Sequence, residues 1–153
     1  MTNEETEVSL LLDEQLCFAL YAAHRAVTAA YRPLLDGLGL TYPQYLVLLV
    51  LWDRGETTVK ELASALRLDY NTMSPLLKRL EAAGLVHRER AAHDERTVLI
   101  ALTDRGEELR ERAAVLPSAL LSVAELTGPE VTHLRETLWQ LARRADAAVE
   151  QAP

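Results

Sequence analysis

A change of hydrophobic period at Gly84 constrains the fold of this chain more than any other feature of its sequence. Before Gly84, apolar residues recur at helical spacing in two short segments, Thr58–Leu66 and about Tyr70–Ala83, separated by a three-residue turn. After it, apolar and polar residues alternate through Leu85–Arg90 and Thr97–Leu102 around a charged loop. Two helices joined by a tight turn predict a helix-turn-helix, and two β-branched-rich runs predict a hairpin. We therefore expect a helix-turn-helix followed by a two-stranded wing.

Capping signals mark where these elements begin. Thr58 and Glu61 stand three apart, as in a capping box. Asn71 or Thr72 is predicted to cap the second helix, and Thr103 to cap a helix that follows the wing. The inward side chains of the second helix are expected to be Leu76, Leu77 and Leu80.

Longer helical segments flank this unit. The pattern predicts a helix over Asp13–Asp36, capped by Asp13 and bent near Pro33, and a second helix from Tyr42 to about Trp52. That second helix has little polar surface, so we expect it to be central to the core. On the other side, the pattern predicts two helices between Thr103 and about Val149, divided near residues 127–129, with a kink at Pro117 in the first.

The composition is that of one ordinary globular domain. The chain has 153 residues, 49% hydrophobic and 25% charged. Its single cysteine excludes an intramolecular disulfide framework and fits a reducing, cytoplasmic compartment. Residues 1–8 are acidic and polar, unlike a signal peptide, and the longest apolar run, Leu46–Trp52, is far short of the roughly 20 residues of a membrane span. No cofactor or metal is expected, since the four histidines are widely separated: His24, His87, His93 and His133.

The charge is unevenly distributed along the chain. The formal net charge is −7, which argues against indiscriminate nucleic-acid binding. Residues 60–105, however, carry eight Lys and Arg against seven Asp and Glu, a net +1, whereas the remainder carries a net −8. An acidic body with a less acidic centre suits a protein that presents only that centre to DNA, although charge runs are usually solvated faces.

The second helix of the helix-turn-helix is the candidate for reading DNA. Its exposed set consists of amide, hydroxyl and cationic groups, the donor types that contact phosphates and base edges in the major groove: Asn71, Thr72, Ser74, Lys78 and Arg79. At the wing tip, Arg96 is a candidate for the minor groove, held in position by Asp94. The alternatives are an ordinary solvent-facing helix and a local surface pair.

The single cysteine is the candidate for sensing. Cys17 lies four residues before Tyr21, so on a helix the tyrosine hydroxyl approaches the sulfur and can hydrogen-bond its ionised form. Tyr31 lies about 21 Å further along the helix axis and reaches that sulfur only from a second copy packed antiparallel. Spacing alone favours the alternative, a cysteine that is simply a small hydrophobe.

Motifs along the chain resemble the MarR family of winged-helix regulators, from about Asp13 to Ala148. The wing carries Asp94-x-Arg96, followed by Leu102-Thr103-x-x-Gly106. A narrower similarity is to the OhrR-type organic-hydroperoxide-sensing repressors, through Gln15-Leu16-Cys17-Phe18-Ala19-Leu20-Tyr21, Tyr31-x-Pro33-Leu34-Leu35, Leu40-Thr41-Tyr42-Pro43-Gln44-Tyr45 and Asp94-Glu95-Arg96. Because of this resemblance, we favour a peroxide-reactive thiol at Cys17 over a small hydrophobic residue.

The resemblance implies a homodimeric repressor that binds double-stranded operator DNA and releases it when an organic hydroperoxide oxidises Cys17. Tyr21 of the same subunit and Tyr31 of the partner subunit would hydrogen-bond the sulfur. With no second cysteine in the chain, the resemblance is to the one-cysteine type, in which a low-molecular-weight thiol captures the sulfenic acid or the sulfur is overoxidised.

The expected fold is mainly α with a small β wing. It comprises an acidic tail at residues 1–12 and a winged helix-turn-helix domain at 13–148, with the DNA-binding unit at about 56–103 and dimerisation helices at about 13–36 and 104–148. Two other functions stay open: release by a reversible phenolic ligand with Cys17 passive, and a peroxidase. The second is not favoured, because no second cysteine or general base supports turnover, so no enzyme is expected.

Overall fold

The computed structural model describes residues 9–153, so most of the predicted acidic tail lies outside the described residues. The chain forms two compact units, which divide between Ala114 and Val115. The first unit contains a 3₁₀ turn at Leu12–Glu14 and then α1 (Leu16–Leu38), α2 (Tyr42–Arg54), β1 (Thr57–Thr58), α3 (Val59–Leu66), α4 (Tyr70–Ala82), β2 (Val86–Ala91), β3 (Asp94–Leu102) and α5 (Asp104–Ala113). The second contains α6 (Leu116–Ala124) and α7 (Gly128–Glu150). The predicted fold class, mainly α with a small β wing, is confirmed.

The first long helix begins later than predicted. Asp13 is not its cap, because residues 12–14 form the 3₁₀ turn and the N-cap is Gln15. The Gln15 side chain donates to the carbonyl oxygens of Ser9 at 2.7 Å and Leu11 at 3.0 Å, which holds the turn ahead of the helix. The helix continues through Pro33 to Leu38 and ends at Gly39, whose φ of +70° is the left-handed conformation that glycine favours.

The core of the first unit is built around α2, as predicted. A capping box opens this helix: the Thr41 hydroxyl accepts from the Gln44 backbone at 3.3 Å, and the Gln44 side chain accepts from the Thr41 backbone at 2.9 Å. Val47, Leu48 and Leu51 are at most 1% exposed. The position of α2 in the core gives the remaining elements a rigid support.

The helix-turn-helix is present with one correction to its caps. Thr58 and Glu61 form the predicted capping box of α3. The cap of α4, however, is Asp69 and neither Asn71 nor Thr72. Its carboxylate accepts from the Thr72 backbone N–H at 2.8 Å, which places Thr72 inside the first turn. The predicted inward residues are buried, together with Met73, which the pattern did not predict: Met73, Leu76, Leu77 and Leu80.

The wing is longer and more tightly turned than predicted, and it gains a third strand. Its strands extend to Ala91 and from Asp94, so two residues form the turn where a six-residue loop was expected. β1 precedes α3 and pairs antiparallel with β3, Thr57 opposite Ile100, which gives the strand order β1-β3-β2. This pairing joins the start of the helix-turn-helix to the wing.

The C-terminal prediction of two helices is wrong, since three form. Thr103 caps α5 as predicted, its hydroxyl accepting from the Gly106 backbone at 3.1 Å. Pro117 does not kink that helix but stands in the first turn of α6, because it lacks the N–H that would continue α5. The predicted division near residue 127 is confirmed, with a Thr127–Glu130 capping box at the start of α7.

Within residues 9–153, no helix by itself has the length and hydropathy needed to cross a membrane. The pair α1 and α2, bent by 70° at their junction, meets those two criteria only when taken together.

Candidate DNA-reading surface and thiol site

The predicted DNA-reading side chains lie on the outer side of α4. Asn71, Thr72, Lys78 and Arg79 are exposed, while Ser74 is partly buried. The leucines on the opposite side anchor the helix in the core, so these groups point away from it. The helix therefore presents amide, hydroxyl and cationic groups to solvent on a rigid support.

A groove of about 430 Å³ runs between α3, α4 and the wing strands. It brings Ser74 of α4 and Arg96 of β3 together with three residues that sequence reasoning missed: Lys60, Tyr70 and Arg88. Lys60 and Arg88 fall in the less acidic segment 60–105, and that charge asymmetry was the one available signal for them. The groove thus collects three cationic side chains, Lys60, Arg88 and Arg96, the residue types that contact phosphates.

Arg88 joins the base of the wing to the end of α4. Its Nε lies 3.7 Å from a carboxylate oxygen of Glu81, and that nitrogen is buried without a hydrogen-bond acceptor. The pair crosses from β2 to α4, so it links the candidate DNA-reading helix to the wing.

Asp94 braces the wing tip through the backbone. One of its carboxylate oxygens accepts from the Arg96 N–H at 2.9 Å, and the other accepts from the Thr97 hydroxyl at 3.2 Å. Arg90 Nη1 donates to the Glu95 carbonyl oxygen at 3.2 Å across the turn. The predicted brace thus acts on the main chain of Arg96 and leaves its guanidinium exposed on the wing.

Cys17 is an exposed free thiol in the first turn of α1. Tyr21, one turn later, is 55% exposed, and its hydroxyl accepts a hydrogen bond from Arg25 Nη1 at 3.1 Å. Phe18 lies beside that ring, with the centroids 6.4 Å apart. Within one chain the phenol oxygen of Tyr21 is therefore engaged by Arg25, and its contact with the sulfur stays a prediction.

Tyr31 lies at the other end of α1, against α2. Its ring stacks on that of Tyr42, with 6.4 Å between centroids and 12° between planes, and His24 meets Tyr42 edge-on at 6.1 Å. Burial, and then the neighbouring Tyr42, raise the pKa of Tyr31, and burial raises the pKa of Tyr42. Both phenols therefore keep their protons at neutral pH and can act as hydrogen-bond donors.

The stacked pair is the start of an aromatic row that sequence reasoning missed. Tyr45 follows Tyr42 at 6.3 Å and Trp52 follows Tyr45 at 6.4 Å, all three on one side of α2. The helical spacing of these three aromatic residues was the signal for it. Trp52 then donates its indole N–H to the Gly106 carbonyl oxygen of α5 at 3.0 Å.

Both units expose large apolar side chains. In the first unit Leu16 is 61% exposed, beside Cys17. In the second unit the exposed apolar residues of α7 include Leu134, Leu138 and Trp139.

Among residues 9–153, no three potential metal-ligating side chains of His, Cys, Asp or Glu are grouped together.

Comparison with known proteins identifies the family. The family model of the transcriptional regulator SarA/Rot matches residues 29–112. The organic hydroperoxide resistance transcriptional regulator of Bacillus subtilis is 46% identical over 130 residues, 85% of this chain and 88% of that protein. The HTH-type transcriptional regulator TtmR of Methylorubrum extorquens is 51% identical over 135 residues, 88% of this chain and 68% of that protein.

Solved structures that resemble this chain include a DNA-bound protein. Reduced AbfR bound to DNA superposes with a TM-score of 0.72 at 38% identity, covering 88% of this chain and 93% of that one. AbfR, a protein of Staphylococcus epidermidis, has also been solved overoxidised on DNA and in a disulfide form. The winged unit, the matching family model and these relatives show that the chain belongs to the MarR family of winged helix-turn-helix regulators, in its OhrR-type branch, and is a DNA-binding transcription regulator rather than an enzyme.

Proposed function

We propose that the protein is a repressor that binds its operator as a homodimer and releases it after an organic hydroperoxide has oxidised Cys17. The observation that carries this proposal is the position of the thiol. Cys17 is the single cysteine of the chain and it is exposed on α1, not packed as a small core residue. The sulfur therefore lies outside the core of its own chain, at the surface that the partner's α1 and the peroxide share in the proposed dimer. The similarity to the organic hydroperoxide regulator of Bacillus subtilis supports the same chemistry.

The reaction is a two-electron oxidation of the sulfur. The Cys17 thiolate attacks one peroxide oxygen, a sulfur–oxygen bond forms, and the oxygen–oxygen bond breaks. The cysteine becomes a sulfenic acid, and the alkoxide takes up a proton and leaves as the alcohol. A low-molecular-weight thiol then displaces water from the sulfenic acid and forms a mixed disulfide, since the chain offers no second cysteine.

A second copy of the chain completes the site. Antiparallel pairing of two α1 helices would bring Tyr31 of the partner subunit to Cys17, with Tyr21 supplied by the same subunit. Tyr31 and its neighbour Tyr42 are protonated donors, the form that hydrogen-bonds a thiolate. The exposed Leu16 beside Cys17 supplies apolar surface for that pairing and for the alkyl part of the peroxide.

DNA is read by the two copies of the winged unit. In each, α4 enters the major groove with Asn71, Thr72, Ser74, Lys78 and Arg79, and the wing places Arg96 in the minor groove. Successive major grooves on one side of DNA lie about 34–36 Å apart, so binding requires the dimer to hold both helices at that spacing.

Release follows from crowding at the sulfur. A mixed disulfide adds a whole small thiol beside α1, which displaces that helix against its partner and moves the two reading helices out of register. We assign release to this adduct and not to overoxidation, because AbfR has been solved on DNA in its overoxidised form. A sulfinic acid adds only two oxygen atoms, which is a much smaller disturbance.

The test compares wild type with Cys17→Ser on labelled DNA from the region upstream of the gene. Fluorescence anisotropy is recorded before and after cumene hydroperoxide with a small thiol, and the mass of the released protein is measured. We expect the operator Kd of wild type to weaken at least about tenfold, with the mass of one mixed disulfide, and that of Cys17→Ser to stay unchanged. Release of Cys17→Ser would contradict the proposal. Release of wild type with an intact thiol would support a reversible ligand instead.

A further inference from the structure

We infer that Trp52 is a positioning residue that couples the phenols of the thiol site to the base of the wing, an inference that rests on the proposed function. We define the wing root as residues 84–86 and 102–106, where α4 leads into β2 and β3 leads into α5. A continuous set of contacts within the first unit leads from Tyr31 to this root.

The first part of the path is the aromatic row. Tyr31 stacks on Tyr42, and the rings of Tyr42, Tyr45 and Trp52 follow one another at centroid distances of 6.3 and 6.4 Å. Tyr45 is only 7% exposed, and α2 also carries the buried core residues Val47, Leu48 and Leu51. Because such interiors are close-packed, a shift of the Tyr42 ring moves its neighbours instead of being absorbed by empty space.

The second part is one directional hydrogen bond. Trp52 Nε1 donates to the Gly106 carbonyl oxygen at 3.0 Å, across 54 positions of the chain. Trp52 is partly buried near the end of α2, and Gly106 stands in the first turn of α5. This bond ties the end of the aromatic row to the helix that follows the wing.

The third part is the packing of Gly106 into the wing root. A Cβ at this position would collide with the Leu85 carbonyl oxygen and would lie 3.0 Å from Leu102 Cδ2. Leu85 in turn donates its N–H to the Leu80 carbonyl oxygen of α4 and accepts from the Thr103 N–H, each at 3.1 Å. A displacement of Gly106 therefore reaches the end of the reading helix and both wing strands.

Loss of the Trp52 hydrogen bond should impair the transmission of Cys17 oxidation to the DNA-binding side chains, without changing either site itself. Removing the indole N–H leaves Cys17 and the DNA-contacting side chains unchanged, but it removes the fixed connection between α2 and the wing root. Trp52→Phe keeps an aromatic ring at the end of the row but removes the donor together with the pyrrole part of the indole, a loss of ring volume that Trp139→Phe shares. Trp139→Phe makes the same substitution in α7 of the second unit, among the exposed apolar side chains of that helix, so it is compared through the oxidised-to-reduced Kd ratio and not through the reduced Kd.

The experiment measures operator Kd by anisotropy for wild type, Trp52→Phe and Trp139→Phe, each reduced and after cumene hydroperoxide with a small thiol. We expect equal cysteine oxidation rates for all three proteins, equal reduced Kd for wild type and Trp52→Phe, and equal oxidised-to-reduced Kd ratios for wild type and Trp139→Phe. The oxidised-to-reduced Kd ratio of Trp52→Phe should fall by about two- to tenfold, the range that one neutral hydrogen bond supplies. If the oxidised-to-reduced Kd ratio of Trp52→Phe equals that of wild type, the inference about Trp52 is wrong and the proposed function stands. If oxidised wild type does not release its DNA, both the proposed function and the inference are wrong.

A second measurement does not depend on the folding of Trp52→Phe. The chain has two tryptophans, so Trp139→Phe leaves Trp52 as the only indole. Its fluorescence emission should change on oxidation at the rate of DNA release, and should not change in Trp139→Phe combined with Cys17→Ser. An emission that stays constant while DNA is released would overturn the inference.

Discussion

Gly106 occupies a position with no space for a side chain, because the Leu85 carbonyl oxygen lies against it. We expect Gly106→Ala to lower the free energy of unfolding by about 1–3 kcal/mol, the usual range for overpacking a rigid site, since backbone and not a flexible side chain must move. Urea denaturation followed by circular dichroism measures the change. The control is Gly37→Ala in α1, where a Cβ meets nothing within 4 Å and a gain of up to about 1 kcal/mol is expected. Equal stability of the two variants would contradict this account of Gly106.

Single residues also show where sequence reasoning succeeds and where it stops. The Thr58–Glu61 box was predictable, because both partners stand within one helical turn. Spacing alone predicted the Asp94 and Arg96 association, but not that the carboxylate engages the main chain of Arg96. Lys60, Tyr70 and Arg88 were missed as groove residues, because only the folded unit brings three separate elements to one surface.

At the scale of an element, the cap of α4 makes helix stability depend on pH. Hydrogen bonds from the backbone and side chain of Thr72 lower the pKa of Asp69 below its ordinary 3.8. A carboxylate with a lowered folded pKa stabilises the protein fully above the unfolded pKa, and this contribution is lost as the pH falls through the folded pKa. At the start of α7 the direction is reversed: Glu130 in the first turn accepts from the backbone N–H of the N-cap Thr127, and this hydrogen bond lowers the pKa of Glu130.

We therefore expect Asp69→Asn to unfold more easily than wild type at pH 6, with the difference narrowing as the pH falls below 3.8. Asparagine still accepts the Thr72 hydrogen bond but carries no charge. Asp69→Ala, which removes the acceptor, should be less stable than Asp69→Asn at every pH. Thermal unfolding from pH 6 to pH 3 measures both. A constant difference between wild type and Asp69→Asn would show that the ionised cap does not contribute.

Sequence analysis misjudged elements of two kinds: a strand whose partner is distant in the chain, and helices whose limits are set by local contacts. β1 is only two residues long and exists because β3 supplies its hydrogen bonds. The boundaries of α1 were wrong for a local reason, since the Gln15 amide holds a 3₁₀ turn where Asp13 was expected to cap a helix.

At the scale of the whole molecule, the exposed apolar residues of α7 predict that copies associate. Leu138 is 39% exposed and Leu134, one turn earlier, is 49% exposed. We expect Leu138→Glu to weaken self-association at least about thirtyfold, because each of two copies loses apolar burial and would have to bury a charge. Operator affinity should fall with it, since one winged unit reaches only one half-site.

Sedimentation velocity and operator binding check this expectation. Gln140→Glu is the matched control: it places the same charge two residues along the same exposed helix but on another side, and it should sediment and bind as wild type does. If Leu138→Glu sediments as wild type at equal concentration, this surface of α7 does not take part in association.

Several contacts between near neighbours were determined by the sequence itself: the helix caps at Thr58 and Thr103, the inward leucines of α4, and the alternation of the wing. These depend on spacings of a few residues, so local periodicity is sufficient to predict them. The tertiary structure alone decided which groups meet across longer separations, namely the cationic groove, the stacking of Tyr31 on Tyr42 and the bond from Trp52 to Gly106. The physical reason is that such contacts form when buried surfaces pack, and packing joins residues whose positions along the chain carry no common period.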